Sequence, residues 1–477
     1  MNRQKLVLRP SQSRVLIRPF IPADTERCSR IAGRIQDLAE GDVRALLTEV
    51  FEDFGGRHQQ LRAILLRHFE NVRPLLRAGE SVSEDRKLLI GAYFTLEYSL
   101  ESAALFNPSI VLHPDQSGLS TGSVRFILSL RATGEGHISS IVFRTGTIDR
   151  RGEVSIVEPT PFVVGAERTP DVYDKAMFAR KLKEMAIGDG QAEQIMAPLP
   201  DSFTMPQLDE RIAAATPTQP WPPDLKAAVD GMRHLAANNY RVRFRPDQRP
   251  SERAIFPASP SQRNGIEDAR FVRFVDDDGS VKYYATYTAY DGRLILPQLL
   301  ETADFLDFSF ITLNGPAASN KGMALFPRRV NGCYTMLSRH DSENLFLAYS
   351  DNVHFWYSPE LLIKPAYPWE LVQMGNCGSP IETPHGWLVL SHGVGPMRKY
   401  CIGAFLLDKD DPSKVLGRLP QPLLKPGGSE REGYVPNVVY TCGALLHGDV
   451  LVIPYAMSDY STGFASAPLA DLINAMV

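Results

Sequence analysis

The chain has 477 residues, of which 44% are hydrophobic and 22% charged, and its formal net charge is -4. That balance suits a globular protein with a large buried core and excludes a disordered chain; it also gives no general pull toward nucleic acid or anionic membranes. No run of about 18 apolar residues suggests a membrane span, and the start Met1–Leu6 lacks a signal-peptide core, so the sequence reads as cytoplasmic.

In chain order, residues from about 25 to 100 read as helix. Val43, Leu46, Leu47, Val50, Phe51 and Phe54 recur at helical spacing before Gly55-Gly56, and Leu61, Ile64, Leu65 and Phe69 continue the pattern. Ser81 followed by Glu84 resembles a capping box opening a third helix through Leu88, Leu89, Tyr93 and Leu96. The segment 1–100 is therefore expected to be a helical extension whose apolar stripes pack on the main domain or on a second subunit. Short β-like runs follow, such as Val124 to Leu130 and Ser139 to Arg144. Helical patterns return at Asp171–Ala186 and Asp224–Tyr240, divided by a stretch containing Pro220, Pro222 and Pro223, and suggest an insertion at about 171–240. From Tyr240 to Ala456, strand-like runs alternate with turn signals every ten residues or so, a rhythm that favours a β-propeller over a sandwich or an α/β barrel.

Chemistry concentrates in Asn264-Gly265-Ile266-Glu267-Asp268-Ala269-Arg270. Adjacent acids repel, so one is expected to hold a proton and act as a general acid while Arg270 orients the other through a forked hydrogen bond. The plainer reading is a solvated turn with a surface ion pair. Five cysteines, Cys28, Cys333, Cys377, Cys401 and Cys442, lack a C-x-x-C pair and read as free thiols, without a disulfide framework or zinc site. No nucleotide, flavin or nicotinamide fingerprint and no serine nucleophile elbow occurs, so neither an organic cofactor nor a metal is expected.

Several motifs together resemble glycoside hydrolase family 130, whose members act on β-mannosides, many by phosphorolysis. Asn107-Pro108-Ser109 is similar to an early substrate loop of that family, and Gly265-Ile266-Glu267-Asp268-Ala269-Arg270 resembles its Gly-x-Glu-Asp-Pro-Arg signature. In order follow Tyr287–Gly292, Asn320-Lys321 before Leu325-Phe326-Pro327, Pro380–Thr383 with Gly386-Trp387, Ser391-His392-Gly393, Glu432–Val438 and Tyr455–Asp459. Ala269 replaces the signature proline, Gly322 stands where an Asp is frequent, and the amino-terminal segment exceeds the minimal family design.

The resemblance implies an all-β five-bladed propeller over residues 101–470, carrying the helical extension and the helical insertion. It makes Asp268 the general acid, protonating the glycosidic oxygen through a mannosyl hydroxyl, which calls for a carboxyl pKa raised by burial and negative neighbours. Asn107, Glu267, Tyr434 and Asp459 become substrate-binding residues, with an ion pair to Arg270 as the other reading of Glu267. Inorganic phosphate, the expected co-substrate, would be held by Lys321 and His392, with Arg131, Arg144 and Arg293 as further candidates, Arg144 and Arg293 reading equally as strand-end arginines in solvent. Tyr290 and Trp387 are candidate groove walls or ordinary core. The expected activity is an inverting phosphorolysis of manno-oligosaccharides to α-mannose 1-phosphate. An inverting β-mannosidase using Glu432 or Glu382 to activate water is the alternative, and a non-catalytic glycan-binding propeller the third reading.

Overall fold

The computed structural model describes residues 1–77, 82–185, 187, 189–216, 221–290 and 295–477. Five antiparallel-based sheets of four or more strands carry most of the chain after residue 104, and two short two-stranded ribbons accompany them. The first sheet is built on Ala104–Leu112, Val124–Thr133 and Ser139–Ile148, the second on Ile266–Val275, Val281–Tyr290, Ile295–Thr302 and Asp307–Thr312. The third comprises Lys321–Leu325, Tyr334–Arg339, Leu345–Ser350 and Pro359–Ile363, and the fourth centres on Gln373–Asn376, Gly386–Val394, Tyr400–Leu407 and Val415–Arg418. The fifth joins Val439–Tyr440, Val450–Met457 and Ser461–Pro468 to the amino-terminal strand Asn2–Leu8.

Each sheet packs on the next, and the fifth returns to the first through Val450–Met457 and Ser461–Pro468 against Ala104–Leu112. Backbone bonds tie that last junction, with the Leu105 N–H donating to Tyr460 and the Cys442 N–H to Pro108. Sheets covered on both faces have no solvent side, so their middle strands lose the polar alternation of a half-exposed strand. All nine residues of Gly386–Val394 are buried.

Four helices occupy Thr25–Gln36, Glu40–Phe54, Leu61–Val72 and Glu84–Tyr93, as the 3.6-residue spacing predicts. The first has Asp24 as N-cap, and the last is capped by Ser83, whose hydroxyl accepts from the Arg86 N–H. Ser81 lies outside the described residues. Leu96 belongs instead to the strand Thr95–Ser99, which pairs with Val15–Pro19, so helix does not extend to residue 100. Gly91 lets two of these helices touch: a Cβ there would stand 2.0 Å from the Leu65 carbonyl oxygen. The second helical segment forms Lys175–Glu184, Asp189–Met196, Met205–Ala215 and Pro223–Asn238 around its own apolar cluster, including Phe178, Phe203, Leu208 and Met232. Among the described residues no helix is long and apolar enough to cross a membrane. The five cysteines are free, and only Cys333 is not buried.

Candidate active site

Three inner strands break their pairing at the same level. The register slips between Phe106 and Ser109, between Glu267 and Arg270, and between Lys321 and Ala324. Asn107 and Asp268 sit at two of these bulges with φ of 47° and 53°, and Gly322 at the third with φ of 86°. A regular strand sends successive side chains to opposite faces; a bulge re-aims one of them. Glu267, Asp268 and Arg270 therefore all line one cavity of about 200 Å³, together with Asn107, Arg131, Lys321, Arg339, His392, Arg398, Tyr400, Tyr440 and Asp459. Every one of the five sheets contributes to it.

One wall is acidic. Arg131 donates to Glu267 Oε1 at 2.8 Å and to Asp268 Oδ1 at 3.3 Å, while its Nε donates to Ser139 Oγ at 2.8 Å. Asn107 Nδ2 donates to Asp268 Oδ1 at 2.6 Å. Burial favours the neutral form of Asp268, but Arg131, Arg270, Lys321 and the Asn107 bond together outweigh it and leave the carboxyl below its ordinary range. This corrects the expectation of a raised pKa: the cations around Asp268 outnumber the anions. The raised carboxyl is Asp459, pushed up to about 7 by burial and then by the charges of Asp268 and Glu267, against Arg131 and Arg398.

The other wall is cationic. Arg270 and Arg339 are buried, neither forms an ion pair among the described residues, and the Nε of each has no hydrogen-bond partner. Arg270 donates to the Tyr440 hydroxyl, and Arg339 Nη1 stands 3.5 Å from His392 Nε2. Lys321 lines the same cavity. His392 Nδ1 faces the Asn376 carbonyl at 3.2 Å and so carries the ring hydrogen, leaving Nε2 as an acceptor toward Arg339. Burial, followed by Arg339 and Arg270, holds His392 well below its usual pKa, so it is neutral. Among the described residues no group of three or more His, Cys, Asp or Glu could hold a metal ion.

Placement of the expected residues is mixed. Asn107, Glu267, Asp268, Lys321, His392 and Asp459 share the cavity. Arg131 was expected on phosphate but is bonded to the two carboxylates, the task expected of Arg270, which faces Tyr440 instead. His392 is present without the positive charge expected of it. Arg144 is buried away from the cavity on Glu101, which it shares with Arg14. Arg293 lies outside the described residues. Tyr434 is 57% exposed and stacks on His137, with ring centroids 5.6 Å apart. Trp387 is wholly buried beneath Arg328 and is core. Glu382 is paired with Arg328 and Lys409, and Glu432 is exposed; neither lines the cavity. Arg339, Tyr440 and Arg398 were not anticipated. One sign was available for Arg339, a charged residue closing the strand Tyr334–Arg339, all six residues of which are buried.

A family model described as beta-1,4-mannooligosaccharide phosphorylase matches residues 243–477, a span that contains Asp268, Lys321, Arg339, His392 and Asp459. A 1,2-beta-oligomannan phosphorylase from a Thermoanaerobacter species is 36% identical over 216 residues, covering 44% of this chain and 70% of the relative. A beta-1,2-mannobiose phosphorylase from Listeria innocua is 29% identical over 270 residues, covering 52% of this chain and 72% of the relative. The solved complex of a Listeria innocua beta-1,2-mannobiose phosphorylase with beta-1,2-mannobiose aligns at 21% identity with a TM-score of 0.46, covering 80% of this chain and 93% of that one.

Proposed function

We propose phosphorolysis of β-mannosides for this chain, which belongs to glycoside hydrolase family 130: inorganic phosphate displaces the leaving sugar with inversion and gives α-mannose 1-phosphate. The observation that carries this reading is the pair of buried guanidiniums, Arg270 and Arg339. Each has an unsatisfied Nε and no carboxylate partner among the described residues, and both share one small cavity with Lys321 and the Asp268 carboxyl. Buried cations without counter-ions are costly unless an anion completes them, and phosphate supplies the charge and the acceptor oxygens.

In this reading Asp268 protonates the leaving oxygen, and Arg131 and Asn107 fix its carboxyl by their hydrogen bonds. Arg270, Arg339 and Lys321 hold phosphate in line with the anomeric carbon. His392 accepts toward Arg339 and so orients it, while Glu267 and Asp459 meet sugar hydroxyls. The carboxylates considered for activating water, Glu382 and Glu432, stand elsewhere, which favours phosphate over water as the attacking group. The same reading takes the five sheets as the five blades of a propeller over residues 101–470 joined by Asn2–Leu8, with the helices within residues 1–100 as an extension and 171–240 as an insertion. It places the enzyme in the cytoplasm, acting on manno-oligosaccharides.

The test is incubation with β-1,2-, β-1,3- and β-1,4-mannobiose, with and without phosphate, followed by analysis for mannose 1-phosphate. Phosphate-dependent mannose 1-phosphate from at least one disaccharide is the expected result. Free mannose released at a rate indifferent to phosphate would overturn the reading. Lys321→Ala and Arg339→Ala should each lower kcat/KM for phosphate by about 10- to 100-fold, the loss of one charged hydrogen-bonding contact.

A further inference from the structure

The acidic wall of the cavity sets three carboxyls, Glu267, Asp268 and Asp459, near the Arg131 guanidinium. Arg131 is fully engaged by Ser139, Glu267 and Asp268, and Asn107 adds a second donor to Asp268. Asp459 makes no hydrogen bond and no ion pair through its carboxyl among the described residues, although it lines the same cavity. Its backbone is fixed in the left-handed region, with φ of 51°, by a turn in which the Ser458 N–H donates to Val438 and the Ser458 hydroxyl to the Glu430 carbonyl. A non-glycine residue held in that conformation beside two carboxylates is a local cost that persists where the position serves the site.

The charged groups facing Asp459 come from each surrounding element. Glu267 and Asp268 lie on Ile266–Val275, Arg131 on Val124–Thr133, and Arg398 on the turn Pro396–Arg398. Glu432 belongs to the exposed segment whose Val435 N–H donates to Ser458.

We infer that Asp459 is the proton-bearing carboxyl of the free site and that it supplies Asp268 with the proton taken by the leaving sugar oxygen. This rests on the phosphorolytic reading and deepens it. In the free protein Asp268 is the anion, because Arg131, Arg270 and Lys321 face it and Asn107 bonds it. It therefore holds no proton to donate. Phosphate bound among Arg270, Arg339 and Lys321 cancels part of that positive field, and the proton affinity of Asp268 rises. The proton then crosses the shared cavity from Asp459 to Asp268 through a water or a sugar hydroxyl, since among the described residues no hydrogen bond joins the two carboxyls directly. Asp268 passes it to the glycosidic oxygen as the bond from that oxygen to the anomeric carbon breaks and a phosphate oxygen bonds the same carbon. Hydrogen phosphate enters carrying one proton; its ester releases that proton to solvent, and Asp459 takes one back, so protons and charge balance over a turnover.

The test has a readout that needs no substrate. Infrared difference spectra of the intact protein between about pH 5 and 9 should show one carboxyl titrating near neutrality, missing in Asp459→Asn. In phosphorolysis, kcat/KM should fall as pH rises through about 7, because the required proton is lost. Asp459→Asn should lower kcat by about 100-fold or more and remove this alkaline limb, and Asp459→Glu should restore the limb. A neutral-range carboxyl that survives in Asp459→Asn, or an unchanged alkaline limb in that variant, overturns the inference. If the titration vanishes in Asp459→Asn but wild-type protein makes no mannose 1-phosphate, the phosphorolytic reading fails and the assignment of the proton stands.

Discussion

Asp268 and Glu382 both occupy recognisable acidic motifs, yet their surroundings give them different work. Asp268 faces a cavity under three cations, whereas Glu382 is held by the fork of Arg328, at 2.9 and 3.0 Å, and by Lys409 at 3.0 Å. Asp268→Asn should cost about 10²- to 10⁴-fold in kcat with the melting temperature little changed, checked by initial rates and thermal melts. Glu382→Gln should leave kcat within about twofold, since nothing it touches reaches the cavity. The Arg328 bond, against partial burial, brings Glu382 down to about 2. A depressed carboxyl contributes stability above its unfolded pKa of 4.5 and loses it as pH falls toward 2. The stability gap between wild type and Glu382→Gln should therefore narrow between pH 5 and pH 2, measured by denaturant titration at each pH. The sequence marked Asp268 because two acids and an arginine stand together. Which arginine meets which acid was not legible, since Arg131 reaches Asp268 across 137 positions and its bond is set by the packing of two sheets.

Local rhythm decided how well each element could be read. Helices with one apolar stripe declared themselves, as Glu40–Phe54 did, while strands covered on both faces had no alternation to count. The bulges that aim Asn107, Asp268 and Lys321 were invisible, because a slip in register depends on the neighbouring strand and leaves no periodic mark. Two expectations belong to the helical segment. Gly91→Ala would drive a methyl group into the Leu65 backbone, so Leu61–Val72 and Glu84–Tyr93 must separate; a loss of about 2–4 kcal/mol in denaturant unfolding is expected. His68, buried on Thr95 Oγ1 at 2.7 Å, is brought down to about 4 by burial and then by Arg67. A histidine buried neutral stabilises above its unfolded pKa of 6.5, and that contribution is lost as pH falls toward 4. Protection factors of the amides in Leu61–Val72, corrected for the intrinsic exchange rate at each pH, should fall over that interval, and a substitution that keeps the packing, His68→Gln, should flatten the response.

At the scale of the whole molecule, the fifth sheet is completed by a strand from the other end of the chain. Asn2–Leu8 pairs with Ser461–Pro468, with Asn2 opposite Ser466, and Arg3 holds the buried Glu430 at 2.8 Å. Nothing in the apolar pattern of residues 2–8 distinguishes this strand, whose exposed and half-buried positions suit an edge. Deleting residues 1–8 should lower the melting temperature by about 5 °C or more and promote aggregation by baring the edge of Ser461–Pro468, whereas Arg3→Ala, which removes one half-exposed partner, should cost about 1 kcal/mol. The pairing also sets a timetable for biosynthesis. Asn2–Leu8 has no strand partner until Ser461–Pro468 leaves the ribosome, so it must stay unpaired while the sheets between them are made. Because Asp459 lies in the turn just before Ser461–Pro468, a nascent chain stopped short of that hairpin would carry the Asp268 wall and the cationic wall without the third carboxyl. With Asp459 as the proton source, catalytic competence would then arrive in one step with the closing hairpin, leaving prematurely released fragments inert while their bare sheet edges expose them to chaperones and proteases.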